Sequence, residues 1–352
     1  GFLALVATAI NYPKWEASYR LLLTLVWPSP PSAAMARLPT DRYTFPWGDA
    51  EACPCGSGEC FVRCCKVGPK RLPYVKMPSL APPGSATGYA HPKCYMAATN
   101  NCSEGKSREH YISKAILECF DNLSVSGMPW QKKGESQILA AKSMVANILC
   151  ERHNNALAPI DGLGAKAFIG LTEACDYAVN RRHPGRAEHY LISGEGLELW
   201  MMKLAAGIHF GGIAAADGGI VRDTCTFPKN EVIGALTTGT LPPTADLWVS
   251  QLPGLIQRAQ IGVGPLIEIK TNRHLGVQVQ FGPLQFAVLM ATPTATAKEF
   301  EKYAHLRRPR AIDFIGPDRD ARVVLSWPGT PVDRVNRIGL TLSRDLGDGS
   351  LG

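Results

Sequence analysis

The segment Cys150-Glu-Arg-His-Asn-Asn155 decides how this chain of 352 residues is organised. Cys150 and His153 stand three positions apart, a spacing typical of neighbouring zinc ligands. Upstream, Cys94 and Cys102 supply a second pair of soft ligands, so the two pairs together make a tetrahedral zinc set. Because the pairs flank the segment between them, a shared ion would hold its two ends together.

Polar residues near these ligands have the chemistry that phosphodiester hydrolysis requires. The reaction needs an activated water and a cation that neutralises the developing charge. His110 can take a proton from water, because the ordinary pKa of histidine lies near neutrality. Glu109 and Asn154 offer the oxygen ligands that Mg²⁺ and Mn²⁺ prefer.

Residues 91–170 resemble the HNH, or ββα-metal, nuclease family. The resemblance is carried by Cys94/Cys102, Glu109-His110, Asn147 and Cys150-Glu-Arg-His153-Asn154. It implies that His110 is the general base, that Glu109 and Asn154 bind a catalytic Mg²⁺ or Mn²⁺, and that Asn147 orients the His110 ring. An alternative alignment makes His153 a ligand of the catalytic metal and leaves the zinc set incomplete.

A separate cysteine cluster lies upstream, in Cys53-Pro-Cys-Gly-Ser-Gly-Glu-Cys-Phe-Val-Arg-Cys-Cys65. It has two close cysteine pairs, and a module this small must take its folding energy from a metal. The segment resembles the SEC-C motif. The resemblance implies a second structural zinc and a surface for a protein partner, with Cys60 as a spectator. The implied ligands are Cys53, Cys55, Cys64 and Cys65. We therefore expect two structural Zn²⁺ ions per chain.

Composition and charge indicate the kind of partner and the cellular compartment. The formal net charge of +7 favours a polyanionic partner such as nucleic acid. Five of the eleven cysteines lie between Cys53 and Cys65, which suits thiolate ligands better than disulfides. Thiolates need a reducing compartment, so we expect a cytoplasmic protein. The apolar run Leu21–Trp27 is too short to span a bilayer, so we expect no membrane association.

The chain is predicted to be an α+β protein with several segments. Residues 1–34 end in a Pro-rich run and are expected to be a non-native or disordered extension that packs poorly, the alternative being a genuine arm. Residues 53–66 are the SEC-C motif, 67–90 a Pro- and Gly-rich linker, 91–183 the HNH-like domain, and 190–345 a further α+β domain with a mainly antiparallel sheet. The sequence leaves the oligomeric state open.

Periodicity predicts the elements. Helices are expected over 113–120, over 162–181 with Asp161 as N-cap, and over 194–206. Strands are expected over 266–270, 275–281, 284–291, 311–315, 321–327 and 338–342, with a hairpin turn at Phe281-Gly-Pro-Leu284.

Two functions from different classes follow from these residues. The first is an HNH-type endonuclease that hydrolyses phosphodiester bonds of nucleic acid, with DNA as the expected substrate. The second is a non-catalytic zinc-binding adaptor for nucleic acid or protein. An active site needs Glu109, His110 and Asn154 to converge on one point, whereas an adaptor does not.

Overall fold

The computed structural model describes residues 23–26, 50, 60–63, 80–120, 123–132, 135–179, 188–216, 219–251, 260–268, 271–290, 306–317, 319–327 and 337–341. Within these ranges the chain forms helices and mainly antiparallel strands, which confirms the predicted α+β class. The helices are α1 (Lys114–Leu117), α2 (Glu151–Val179), α3 (Gly194–Gly211), α4 (Val221–Thr224) and α5 (Lys229–Thr238). The strands are β1 (Leu23–Val26), β2 (Lys106–His110), β3 (Leu123–Ser126), β4 (Ser136–Leu139), β5 (Val145–Cys150), β6 (Glu188–Ser193), β7 (Ala215–Ala216), β8 (Gly219–Ile220), β9 (Asp246–Gln251), β10 (Gln260–Glu268), β11 (Arg273–Phe281), β12 (Leu284–Leu289), β13 (Leu306–Arg307), β14 (Ala311–Ile315), β15 (Asp320–Ser326) and β16 (Arg337–Thr341).

Two large sheets enclose the core. The first is antiparallel and has the order β13-β9-β12-β11-β10-β1-β3-β4. The second has the order β16-β14-β15-β6 and is mixed, because β14 pairs with β16, and β15 with β6, in parallel. The two-stranded antiparallel sheets β2-β5 and β7-β8 complete the described pairing.

The predicted strands in the second half of the chain coincide closely with β11, β12, β14, β15 and β16, whereas the strand predicted over 266–270 overlaps β10 only at 266–268. The hairpin turn is also present, with Phe281 opposite Leu284 and Gly282 in the left-handed region. β10 begins earlier than predicted, at Gln260, because the glycines and Pro265 within it weaken the strand pattern. Pro265 is tolerated because it lies beyond Val263, where the pairing with β1 ends.

The long helix α2 differs from its prediction. It begins at Glu151, directly after β5, rather than at Gly162. Asp161 is therefore a mid-helix residue and not an N-cap, and its carboxylate receives hydrogen bonds from other elements. Pro159 and nearby glycines weakened the helical pattern, but packing against the core overrides that local preference.

The buried helix α3 lies at the centre of the molecule. The Ser193 side chain caps its start by accepting from the Gly196 N–H at 2.9 Å, and left-handed Gly212 follows its end. Its side chains are buried nearly all round, from Leu197 to His209, as expected for a core helix. It packs against α2 so closely that a Cβ on Gly164 would lie 2.4 Å from Trp200.

The predicted 91–183 and 190–345 domains share one hydrophobic core. Strands β3 and β4, from the first, extend the eight-stranded sheet of the second. Of residues 1–34 the structure describes Leu23–Val26, which forms β1 between β10 and β3; that the segment as a whole packs poorly stays a prediction. The predicted linker, residues 67–90, has at least one hydrogen bond to the following segment: the Thr87 hydroxyl donates to the Cys102 carbonyl at 2.7 Å.

No helix within the described ranges is both long enough and apolar enough to cross a membrane.

Two histidines are buried together in this core. The His274 Nε2–H donates to the Gly276 carbonyl at 2.8 Å, which leaves its Nδ1 facing His209 Nδ1 at 3.4 Å. Burial lowers the pKa of His274 to about 3 and that of His209 to about 4, with the Arg222 charge adding to the effect at His209. Both rings are therefore neutral in the folded protein at neutral pH.

This pair predicts acid sensitivity. Below about pH 6.5 the two histidines bind protons in the unfolded chain but not in the folded protein. The free energy of unfolding is therefore smaller at low pH than at pH 7.5. The loss by pH 5 is about 2 kcal/mol per histidine. Urea unfolding at both pH values should show a smaller loss in His274→Gln, which keeps a donor for Gly276, than in wild type. An identical loss in both proteins would contradict the prediction, since other acid-labile groups are common to the two.

Candidate metal centre and active site

Cys94, Cys102, Cys150 and His153 converge in the buried interior. Their ligand atoms all lie within 4.8 Å of one another. His153 Nδ1 is 3.2 Å from the Cys150 sulfur and 3.6 Å from each of the other two sulfurs. In a tetrahedral zinc site with ordinary bond lengths the N···S edge is about 3.6 Å. The group therefore has the donor set and the spacing of a Cys₃His zinc site, as the sequence predicted.

Backbone and side-chain hydrogen bonds bring these ligands together. The loop that holds the first two cysteines closes through Cys94 N–H to the His91 carbonyl and Cys102 N–H to the Tyr89 carbonyl. Cys150 ends β5, and His153 follows in the first turn of α2. The Arg152 side chain joins the parts by donating to Asn101 Oδ1 at 3.0 Å and to the Ser85 carbonyl at 2.9 Å.

The thiols have an environment that suits a cation. Burial, with the charges of Cys150 and Cys102 adding to it, raises the pKa of Cys94 to about 12. Burial acts in the same direction on Cys150, but the backbone N–H groups of His153 and Ser103 outweigh it and lower its pKa. Three close thiols ionise together only when a metal ion compensates their charge.

Thr99 fixes the orientation of the histidine ligand. Its hydroxyl donates to the Met96 carbonyl at 2.9 Å, and its oxygen lies 3.0 Å from His153 Nε2. The oxygen therefore accepts the Nε2–H, which leaves the Nδ1 lone pair directed at the three sulfurs. Such outer contacts orient a ligand and raise its basicity.

Removing the Thr99 hydroxyl should therefore weaken zinc binding. Thr99→Val keeps the side-chain shape, and we expect the zinc affinity to fall about 10- to 100-fold. Competition with a chelator measures the change. The matched control is Thr172→Val, because the Thr172 hydroxyl only donates to the Phe168 carbonyl within α2. Equal zinc affinity in the two variants would show that Thr99 does not orient the ligand.

The proposed catalytic residues lie on the unit built by β2, β5 and α2. The two strands are antiparallel, with His110 opposite Val145, and α2 begins directly after β5. His110 ends β2 and is half-buried, and Asn147 is exposed on β5. Asn154 lies in the first turns of α2, where its amide donates to the Ser107 hydroxyl at 2.7 Å. Among the described residues no hydrogen bond joins Asn147 to His110.

Glu109 has a partner that the sequence did not predict. Its carboxylate is buried and receives a short hydrogen bond from the Lys203 ammonium of α3. Lys203 also donates to Asp161 at 2.8 Å. Because the Glu109 carboxylate is already paired with the Lys203 ammonium, it does not fit the role of a Mg²⁺ or Mn²⁺ ligand. Glu109 and Asn154 thus have different partners.

His110 retains the protonation state of a base. Burial lowers its pKa below the usual value for histidine, and the Asp161 carboxylate offsets this only in part. The ring is therefore neutral at pH 7 and able to accept a proton.

Sequence reasoning missed Lys203, Asp161 and Ser113 as neighbours of the site. Lys203 did leave a signal, because a lysine three residues after Trp200 lies on the apolar face of a core helix. A charged residue in that position needs a buried partner.

The remaining cysteine predictions divide into two groups. Cys53, Cys55, Cys64 and Cys65 lie outside the described residues, so the SEC-C zinc stays a prediction. The described cysteines outside the zinc-site group are unbridged, namely Cys60, Cys119, Cys175 and Cys225. We expect these four to be dispensable for zinc content.

Comparison of the chain with protein-family models, with curated proteins and with solved structures gives no match. The functional assignment therefore rests on the residues and their geometry.

Proposed function

We propose that this chain is an HNH-type endonuclease that hydrolyses phosphodiester bonds of nucleic acid, with DNA as the expected substrate. The observation that carries the proposal is the strand–strand–helix unit, in which the Cys₃His group joins the start of α2 to the loop before β2. This arrangement holds His110 at the end of β2, opposite Val145 and away from the Cys150 end of β5, where the Asp161 carboxylate of α2 acts on its charge.

His110 is the proposed general base. A water oxygen bonds to phosphorus while its proton passes to the neutral His110 ring, and the bond from phosphorus to the leaving oxygen breaks. The leaving oxygen then takes a proton from solvent. Lys106 and Arg108 are exposed on the same strand and can contact backbone phosphates, in keeping with the net charge of +7.

The HNH resemblance also implies a divalent cation at Glu109 and Asn154. The Lys203 contact at Glu109 and the Ser107 contact at Asn154 do not support that arrangement, so no step is assigned to Mg²⁺ or Mn²⁺.

A second function is favoured by the same two contacts. A non-catalytic zinc-binding adaptor has no need of free ligands at Glu109, and it can use the ββα unit only as a scaffold for binding nucleic acid or protein. The proposed SEC-C zinc, a protein partner at that segment and a cytoplasmic location are compatible with either function.

A cleavage assay tests the proposal. Zinc-loaded full-length chain is incubated with single- and double-stranded DNA and RNA, without added divalent ions and with Mg²⁺ or Mn²⁺. Cleavage that requires His110 supports the nuclease. Binding of nucleic acid without cleavage under every condition supports the adaptor.

A further inference from the structure

Lys203 is a buried charge that neither the zinc site nor the proposed base uses. Its side chain is 4% exposed, and that of Glu109 is 6% exposed. A lone ammonium at such a depth is strongly unfavourable, so its retention depends on the carboxylates that it contacts. Both belong to the candidate active-site unit, Glu109 to β2 and Asp161 to α2.

The hydrogen bonds around this charge form a continuous chain. The Trp200 indole N–H donates to Ser113 at 2.7 Å, and the Ser113 hydroxyl donates to Asp161 Oδ1 at 2.8 Å. The other oxygen of Asp161 accepts from Lys203, which also donates to Glu109. Each carboxylate therefore has a fixed partner, and this series of hydrogen bonds connects α3 to the end of β2.

The electrostatics keep Lys203 charged. Burial lowers the pKa of Lys203, but Asp161 and Glu109 outweigh burial and raise the pKa above its usual value. Burial raises the pKa of Glu109 above its usual value, the Lys203 ammonium offsets this only in part, and the Asp161 charge adds to the rise. The positive charge at Glu109 is thus supplied by the protein.

We propose that Lys203 is the resident cation of the candidate site, holding Glu109 in place of a divalent ion and excluding Mg²⁺ and Mn²⁺ from that carboxylate. A divalent ion needs oxygen ligands at about 2.0–2.6 Å, and the Lys203 ammonium already lies within hydrogen-bonding contact of Glu109 Oε1. Two cations at such separation repel strongly, so one must leave. The inference rests on the proposed function in treating β2 and α2 as the active site.

Lys203 is accordingly a positioning residue. It holds Glu109, the neighbour of His110 in β2, and ties that strand to α3 in the molecular core. It does not reach solvent, so we assign it no contact with substrate.

The test measures Mn²⁺ binding by electron paramagnetic resonance on zinc-loaded full-length chain, and it does not require cleavage. Wild type and Glu109→Gln should bind Mn²⁺ equally weakly, because Glu109 is not a ligand. Lys203→Met removes the charge at similar length and should bind Mn²⁺ at least about tenfold more tightly, since relief of like-charge repulsion is worth more than 1.4 kcal/mol. The double variant Lys203→Met/Glu109→Gln should lose this gain.

Two results would overturn the inference. One is Mn²⁺ binding to wild type that Glu109→Gln removes. The other is a folded Lys203→Met protein, with full zinc content, that binds Mn²⁺ no more tightly than wild type. If Lys203→Met is too unstable for the resonance measurement, its Tm is measured with and without Mn²⁺. A Mn²⁺-dependent rise confined to that variant supports the inference, and no rise overturns it. Cleavage by wild type is scored separately, so failure of the nuclease proposal remains distinguishable.

Discussion

Replacing Cys150 with serine should remove one zinc ion per chain and unfold the strand–strand–helix unit. Cys150 is the closest sulfur to His153 Nδ1, at 3.2 Å, and it joins β5 to α2. Structural zinc contributes about 10–16 kcal/mol of apparent binding free energy in small zinc modules, so losing a ligand removes much of the free energy that holds the unit folded. Elemental analysis gives the zinc content, and circular dichroism gives the thermal transition.

The matched control for this experiment is Cys119→Ser. Cys119 lies outside the zinc-site group, and its thiol donates to the Ala115 carbonyl at 3.3 Å, which serine can reproduce. We expect unchanged zinc content and stability. Full zinc content in the Cys150→Ser protein would show that Cys150 is not a ligand.

Replacing His110 with alanine should abolish nucleic-acid cleavage while leaving zinc content and the thermal transition unchanged. Loss of a general base costs about 10²–10⁴-fold in rate. His110 is half-buried at the end of β2 and is not among the zinc-site residues, so the zinc site does not depend on it. Cleavage rates are compared for wild type and variant, purified side by side.

The order of the two effects separates the candidate functions. In an adaptor Cys150→Ser still destroys the fold, but His110→Ala has no effect on nucleic-acid binding or on stability. If wild type and His110→Ala cleave equally fast, His110 is not the base, and the activity arises from another part of the chain or from a contaminant.

Local patterns were sufficient to predict much of the fold. The strands of the second half follow from runs of apolar residues, and the turn at Phe281–Leu284 follows from Gly-Pro. These features depend on neighbouring residues, whose side-chain periodicity and turn preferences are visible in sequence. The predicted start of α2 was wrong, because Pro159 and the following glycines disfavour a helix locally, whereas packing against the core favours one.

The sequence by itself predicted the Cys₃His group that could hold zinc, because Cys94, Cys102, Cys150 and His153 are soft ligands whose chemistry needs only that they meet. Only the tertiary structure decided the charge around Glu109. Lys203 lies 94 residues further along the chain, and nothing local pairs the two. Any of many lysines can neutralise a carboxylate, and the choice is made by which helix packs against β2 and buries both charges.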